Sequence, residues 1–183
     1  MGEAASFEAQ VMVDSLKQIR QTIKSVEEKL EDACMEFPEY TYLLSIPGFG
    51  PDVSSKVLGA IGNPHRFTSA KQVLKMAGLD LCADRSGKKS NSAIPVISKQ
   101  GKADLRYGLY QAAFIASLKN KDFIAYFTNK LKGRAKEKGI VTKMRVKLAA
   151  KLLVIAWTLM KKKECFDPKY LKQEDQDAQK KAA

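Results

Sequence analysis

Histidine and cysteine are scarce in this chain, and each scarcity closes off a class of chemistry. His65 is the one histidine among 183 residues, so a zinc site is not expected. The three cysteines, Cys34, Cys82 and Cys165, are odd in number and widely spaced, with no CxxC pair among them. That pattern fits reduced thiols in a cytosolic protein rather than a disulfide framework. Six prolines and eleven glycines are too few for a low-complexity chain, and a hydrophobic share of 45% argues against global disorder. No run of about 18 apolar residues occurs. The greasiest stretch, Leu148 to Met160, is 13 residues long and contains Lys151, which reads as a core helix, so no membrane partner is expected. The opening residues MGEAASFEAQ lack a basic start followed by an apolar core, so secretion is not expected either.

Acidic residues are scarce in one part only. Residues 1–39 hold nine acids and four bases, a net of −5, while 40–183 hold 28 bases and 11 acids, a net of +17. The overall +12 therefore averages an acidic arm and a basic body. A basic body of this strength points to a polyanionic partner, nucleic acid first.

Hydrophobic spacing predicts helices throughout, and strand signal is poor. Met12, Leu16, Ile19, Ile23, Val26, Leu30, Ala33 and Phe37 alternate steps of four and three, the pattern of a coiled-coil seam. Such a helix pairs either with its own body or with a second copy of the chain. Phe37-Pro38 should end it. A short helix, a Pro47-Gly48-Phe49-Gly50 hairpin and a second helix through Val53, Val57 and Ile61 follow, stopped by Gly62 as a left-handed cap. Thr68 is expected to cap the next helix, which Gly78 stops. From Leu79 to Ile97 no period holds, and irregular stretches of that length are usually functional or disordered. Helical pattern returns near Gly101, continues through Phe127 and Leu131, and ends in a long helix from Val141 to about Lys162. The expected fold is all-α: a coiled-coil-like helix at 1–39, a helix-hairpin-helix domain at 40–165 and a polar tail at 166–183.

Two segments could carry chemistry. In the hairpin, Gly48 and Gly50 permit a tight turn that leaves amides uncovered at a helix N-terminus, a cradle for a phosphate oxygen. Phe49 would plug the helices together, and Lys56 could reach a neighbouring phosphate. In the irregular segment, residues 85–106 carry six bases, Arg85, Lys88, Lys89, Lys99, Lys102 and Arg106, against one acid, Asp104. Arg106 could meet a phosphate with both ends of its guanidinium. A serine here is a poor nucleophile unless activated, and no base is evident from spacing. The alternative is a tight turn and a solvated basic linker.

The run Leu44-Ser45-Ile46-Pro47-Gly48-Phe49-Gly50, then Ile61-Gly62, Arg66-Phe67, Ala77-Gly78-Leu79, Ser86-Gly87, Ile97-Ser98-Lys99-x-Gly101 and Leu105-Arg106 resembles the C-terminal transposase domain of the bridge-RNA-guided insertion-sequence transposases. Lys147, Ala150, Lys151 and Leu152 resemble that family's basic, Ala-rich final helix. The resemblance implies a DNA recombinase in which a loop serine attacks the phosphodiester and holds the cleaved strand. By the Ser-Gly pair that serine is Ser86, with Ser90, Ser92 and Ser98 as rivals; Ser98 is expected to cap the following helix instead. It further implies a RuvC-like domain whose DEDD acids bind magnesium. This chain is expected to be a fragment without that domain and to hold no metal itself. DNA, guide RNA and further copies of the chain are the implied partners, and the bacterial cytoplasm, at the nucleoid, the implied location. A non-catalytic helix-hairpin-helix module that holds DNA for a partner is the alternative.

Overall fold

The computed structural model describes residues 2–82, 96–134 and 136–171. It divides into two compact units, Met1–Phe37 and Pro38–Ala183. The first is one helix, α1 (Glu3–Met35). Its heptad seam lies open along its length, with Met12, Leu16, Ile23 and Val26 each more than half exposed. The helix ends where Phe37-Pro38 predicts.

The second unit is helical, as expected. Its elements are α2 (Pro38–Leu44), α3 (Pro51–Ile61), a short 3-10 turn (Pro64–Arg66), α4 (Ala70–Ala77), α5 (Ala103–Lys119), α6 (Lys121–Leu131) and α7 (Ile140–Lys162). The axis of the core is α7. Met144, Leu148, Leu152, Leu153, Ile155, Ala156, Leu159 and Met160 leave it apolar around most of its girth, so it is buried on several sides. It packs on α5, α2, α4 and α6. Trp157 anchors it to the 3-10 turn, its indole N–H donating to the Pro64 carbonyl at 2.8 Å. Among the described residues no helix is long and apolar enough to cross a membrane.

Several details differ from the expectations. Leu81–Cys82 (β1) and Val96–Ile97 (β2) form a two-residue antiparallel ladder within the stretch read as irregular. Asn120 divides α5 from α6, its side chain accepting from the amides of Asp122 and Phe123 at 3.1 and 3.2 Å. The N-cap of α4 is Ser69, not Thr68, and its side chain makes no capping bond. Instead the Thr68 N–H donates to Gln72 Oε1 at 2.9 Å. Gly62 has the positive φ predicted, +55°, but its ψ of −122° lies outside the left-handed helical region. The core also continues past residue 165, into the stretch read as tail. Phe166 stacks on Phe123 at 5.6 Å, its N–H donates to the Ser45 hydroxyl at 2.8 Å, and Tyr170 and Leu171 are buried.

Candidate nucleic-acid interface

The turn between α2 and α3 closes through Ile46 N–H to Leu43 O at 3.0 Å and Phe49 N–H to Ile46 O at 2.9 Å. Its two glycines do different work. Gly48 sits at φ +92°, and a Cβ there would collide with the Ala112 carbonyl oxygen of α5. The residue is small so that the turn can seat on α5. Gly50 is extended, with nothing within 4 Å of a Cβ position, and it precedes α3 as N-cap. Phe49 is buried, as expected of a plug. Pro51 lacks an N–H, and the amides of Asp52 and Val53 are first-turn donors with no helical acceptor behind them. Asp52 already places a negative charge at this helix end, and Lys56 pairs with it at 2.7 Å. Such a partly exposed pair contributes about 0–1 kcal/mol, so a phosphate can compete for the lysine. The stem of Lys56 runs along Gly108 of α5, its Cδ 3.5 Å from the Cβ position there.

A second construction joins the C-terminal end of α4 to the start of α5. Gly78 caps α4 in left-handed geometry, φ +67°, its N–H donating to the Leu74 and Lys75 carbonyls. Gly101 lies directly against it: a Cβ on Gly101 would be 2.5 Å from both Gly78 N and Met76 O. Backbone bonds lace the two segments, Lys99 N–H to Gly78 O at 3.0 Å, Lys102 N–H to Met76 O at 3.3 Å and Ser98 N–H to Asp80 O at 2.9 Å. Arg106 locks the joint, its Nη1 donating to Ala77 O at 3.1 Å and Gly101 O at 3.0 Å. One end of that guanidinium is therefore spent on carbonyls that the end of α4 and the turn before α5 leave open. Ser98 does not cap α5, whose N-cap is Lys102; its hydroxyl donates to the Asp80 carboxylate.

This clamp holds residues 82 and 96 side by side through the β1–β2 ladder. Lys99 and Lys102 are exposed beside it, Lys99 at a positive φ of 57°. Ser86, Arg85, Lys88, Lys89, Ser90 and Ser92 lie outside the described residues. Two hollows flank the ladder and share Leu79, Ile97 and Val146 as walls. The smaller, of about 290 Å³, is bordered by Lys99 and Arg106. The larger, of about 440 Å³, is bordered by Lys130, Arg134, Lys147 and Lys151. Sequence reasoning did not single out Lys130 or Arg134 as site residues, because only tertiary closure sets them beside the ladder, nor Asp80, whose partner Ser98 lies eighteen positions away. Arg134 forms a fork with Glu137, whose carboxyl that guanidinium, by hydrogen bond first, holds below the usual carboxylate range.

Among the described residues no three His, Cys, Asp or Glu side chains come together so as to hold a metal ion. The described residues therefore assemble no donor set for magnesium.

Residues 40–128 match the model of the IS116/IS110/IS902 transposase family. The chain is 31% identical over 127 residues to a pilin gene-inverting protein of Moraxella bovis, an overlap covering 68% of this chain and 38% of that protein. It is 30% identical over 136 residues to the pilin gene-inverting protein of Moraxella lacunata, covering 71% and 40%. The chain thus spans about two fifths of the length of these curated relatives. Over these stretches the chain is similar to transposases of that family and to the two gene-inverting proteins.

Proposed function

We propose that, as a chain with the IS116/IS110/IS902 transposase pattern over residues 40–128, this protein is the DNA-gripping and strand-attacking part of an insertion-sequence recombinase. The observation that carries the reading is the clamp. It joins Ala77-Gly78-Leu79 to Ile97-Ser98-Lys99-x-Gly101 and Arg106, the two motif segments that bracket Ser86 in sequence. A tight joint at that place suits a loop whose position matters. The turn Gly48–Gly50, seated on the same helix α5, would offer first-turn amides and Lys56 to a phosphate. Arg85, Lys88, Lys89, Lys99 and Lys102 would add charge along the backbone, with the outer end of Arg106 as a further donor. These contacts read no bases, so sequence preference in the protein itself is slight; a guide RNA would supply it.

In the attack, Ser86 Oγ bonds to phosphorus, one bridging P–O bond breaks, and the leaving hydroxyl takes up a proton while the serine's goes to solvent. A strand hydroxyl reverses the step on a new partner. Magnesium, implied by the resemblance, would be held by acids other than those described here, and two copies of the chain would bring two DNAs together. A second reading, a module that only holds DNA, is favoured by the absence of an activating base beside Ser86 in sequence.

DNA affinity of the purified chain tests the grip. With about five phosphate contacts, log K against log salt should slope near −4 to −5 on duplex; a flat slope refutes it. In a recombination-competent protein, Ser86→Ala should abolish the covalent DNA adduct and leave affinity unchanged. Retained recombination would leave only the holding module.

A further inference from the structure

We propose that the larger hollow, between α4, the β1–β2 ladder, α6 and α7, seats an unpaired DNA strand. The proposal rests on the reading of this chain as DNA-acting. Among the described residues lining the hollow four are basic and none is acidic, so the ligand carries negative charge. Lys130, Arg134 and Lys147 are partly or fully exposed around an apolar floor built from Leu74, Leu79, Phe127, Met144, Leu148 and Val154, whereas Lys151 is buried and its ammonium donates to the Leu171 carbonyl at 3.4 Å. Phosphates at the edge with bases laid on the floor satisfy both halves of that surface, which a bare anion would not. Tyr126 fixes two of the cations: the ammonium of Lys130 lies 5.4 Å from its ring centroid and that of Lys151 5.0 Å. Arg134 is steadied by Glu137, and Lys147 is exposed one turn before Lys151.

The space, about 440 Å³, is on the scale of small-ligand sites of roughly 300–1,000 Å³ and cannot admit a duplex. The strand must therefore be unpaired where it enters. Among the described lining side chains the O–H of a ribose 2′-hydroxyl would find one acceptor, the Tyr126 hydroxyl, and no carboxylate or side-chain amide. The water it gives up is thus poorly replaced, which favours DNA over RNA. Leu81 and Ile97 form one wall, so a strand held here passes the base of the segment that carries Ser86.

The test uses the full chain and fluorescent oligothymidylate, oligouridylate and a hairpin duplex, read by anisotropy. The double variant Lys130→Glu/Lys147→Glu is compared with Lys71→Glu/Lys119→Glu, an equal charge change at exposed positions outside the hollow. Loss of two single-strand contacts at ~0.7 counterions each predicts roughly a tenfold loss of oligothymidylate affinity at 0.15 M salt. The control pair should lose less than about threefold, and duplex should weaken less than single strand in the hollow variant. Equal losses in the two variants, an equal loss on duplex, or oligouridylate binding as tightly as oligothymidylate each overturns the proposal. Circular dichroism verifies that both variants fold. If the native chain binds no DNA at all, the broader reading fails too; if it binds and the hollow variant is unchanged, only this site fails.

Discussion

Replacing Gly101 with alanine is the sharpest probe of the clamp, because the backbone there is not strained and sterics act alone. The added Cβ would stand 2.5 Å from Gly78 N and Met76 O and 2.7 Å from Ala77 C. All three are backbone atoms, so no side chain can rotate away. Ordinary contact needs about 1 Å more, and the end of α4 must retreat by that amount. Such a retreat stretches Lys102 N–H to Met76 O, already 3.3 Å, and Arg106 Nη1 to Ala77 O, now 3.1 Å, out of hydrogen-bonding range. Overpacking costs ~1–3 kcal/mol and each of the two lost bonds ~0.5–1.5 kcal/mol, so the sum is about 2–6 kcal/mol. For a chain of this size that lowers the melting temperature by roughly 4–24 °C. Gly59→Ala is the matched control. Gly59 lies inside α3 with nothing within 4 Å of a Cβ, and alanine there should stabilise by up to about 1 kcal/mol. Thermal unfolding followed by helical circular dichroism should therefore move in opposite directions for the two variants. A Gly101→Ala protein melting with the parent refutes the tight joint.

Trp157→Phe keeps most of the ring but removes the donor to the buried Pro64 carbonyl, 2.8 Å away. It should cost about 1–3 kcal/mol in chemical denaturation, and an unchanged midpoint would show that the bond is idle. The carboxyl of Glu164 is held below the usual range, first by the Tyr170 hydroxyl and then by Lys162 and Lys169. Its stabilising effect is thus complete above the ordinary carboxylate pKa and lost as pH falls through the lowered folded value. Glu164→Gln should flatten the acid limb of stability against pH; identical limbs in the two proteins would contradict the assignment.

The helix boundaries were legible because proline and glycine mark them: Phe37-Pro38 closes α1, Gly78 closes α4, and Gly139 precedes α7. The apolar run from Leu148 to Met160 likewise declares a buried helix. The clamp was not legible. A two-residue ladder is too short to show an alternating pattern, and the Asp80–Ser98 bond spans eighteen positions of chain. Arg106 looks like a phosphate ligand in sequence because nothing there reveals that the carbonyls of Ala77 and Gly101 need a donor. Gly48 reads as a turn glycine, and it is one. Its second duty, admitting the Ala112 carbonyl of α5, depends on a contact sixty-four residues away. Lys130 and Arg134 gave no signal, since isolated bases on helix surfaces are common.

The joint at Arg106 and the seat of Gly48 on Ala112 belong to one helix, six positions apart. On an α-helix that interval is about 9 Å of rise. A rod of this kind is a ruler: the turn at one point and the joint at the other are held at a set spacing and a set angle. One residue added between them would swing the two ends about 100° apart while leaving every other contact of either end intact. The spacing of the two contact points therefore belongs to the helix, and neither end can adjust it alone.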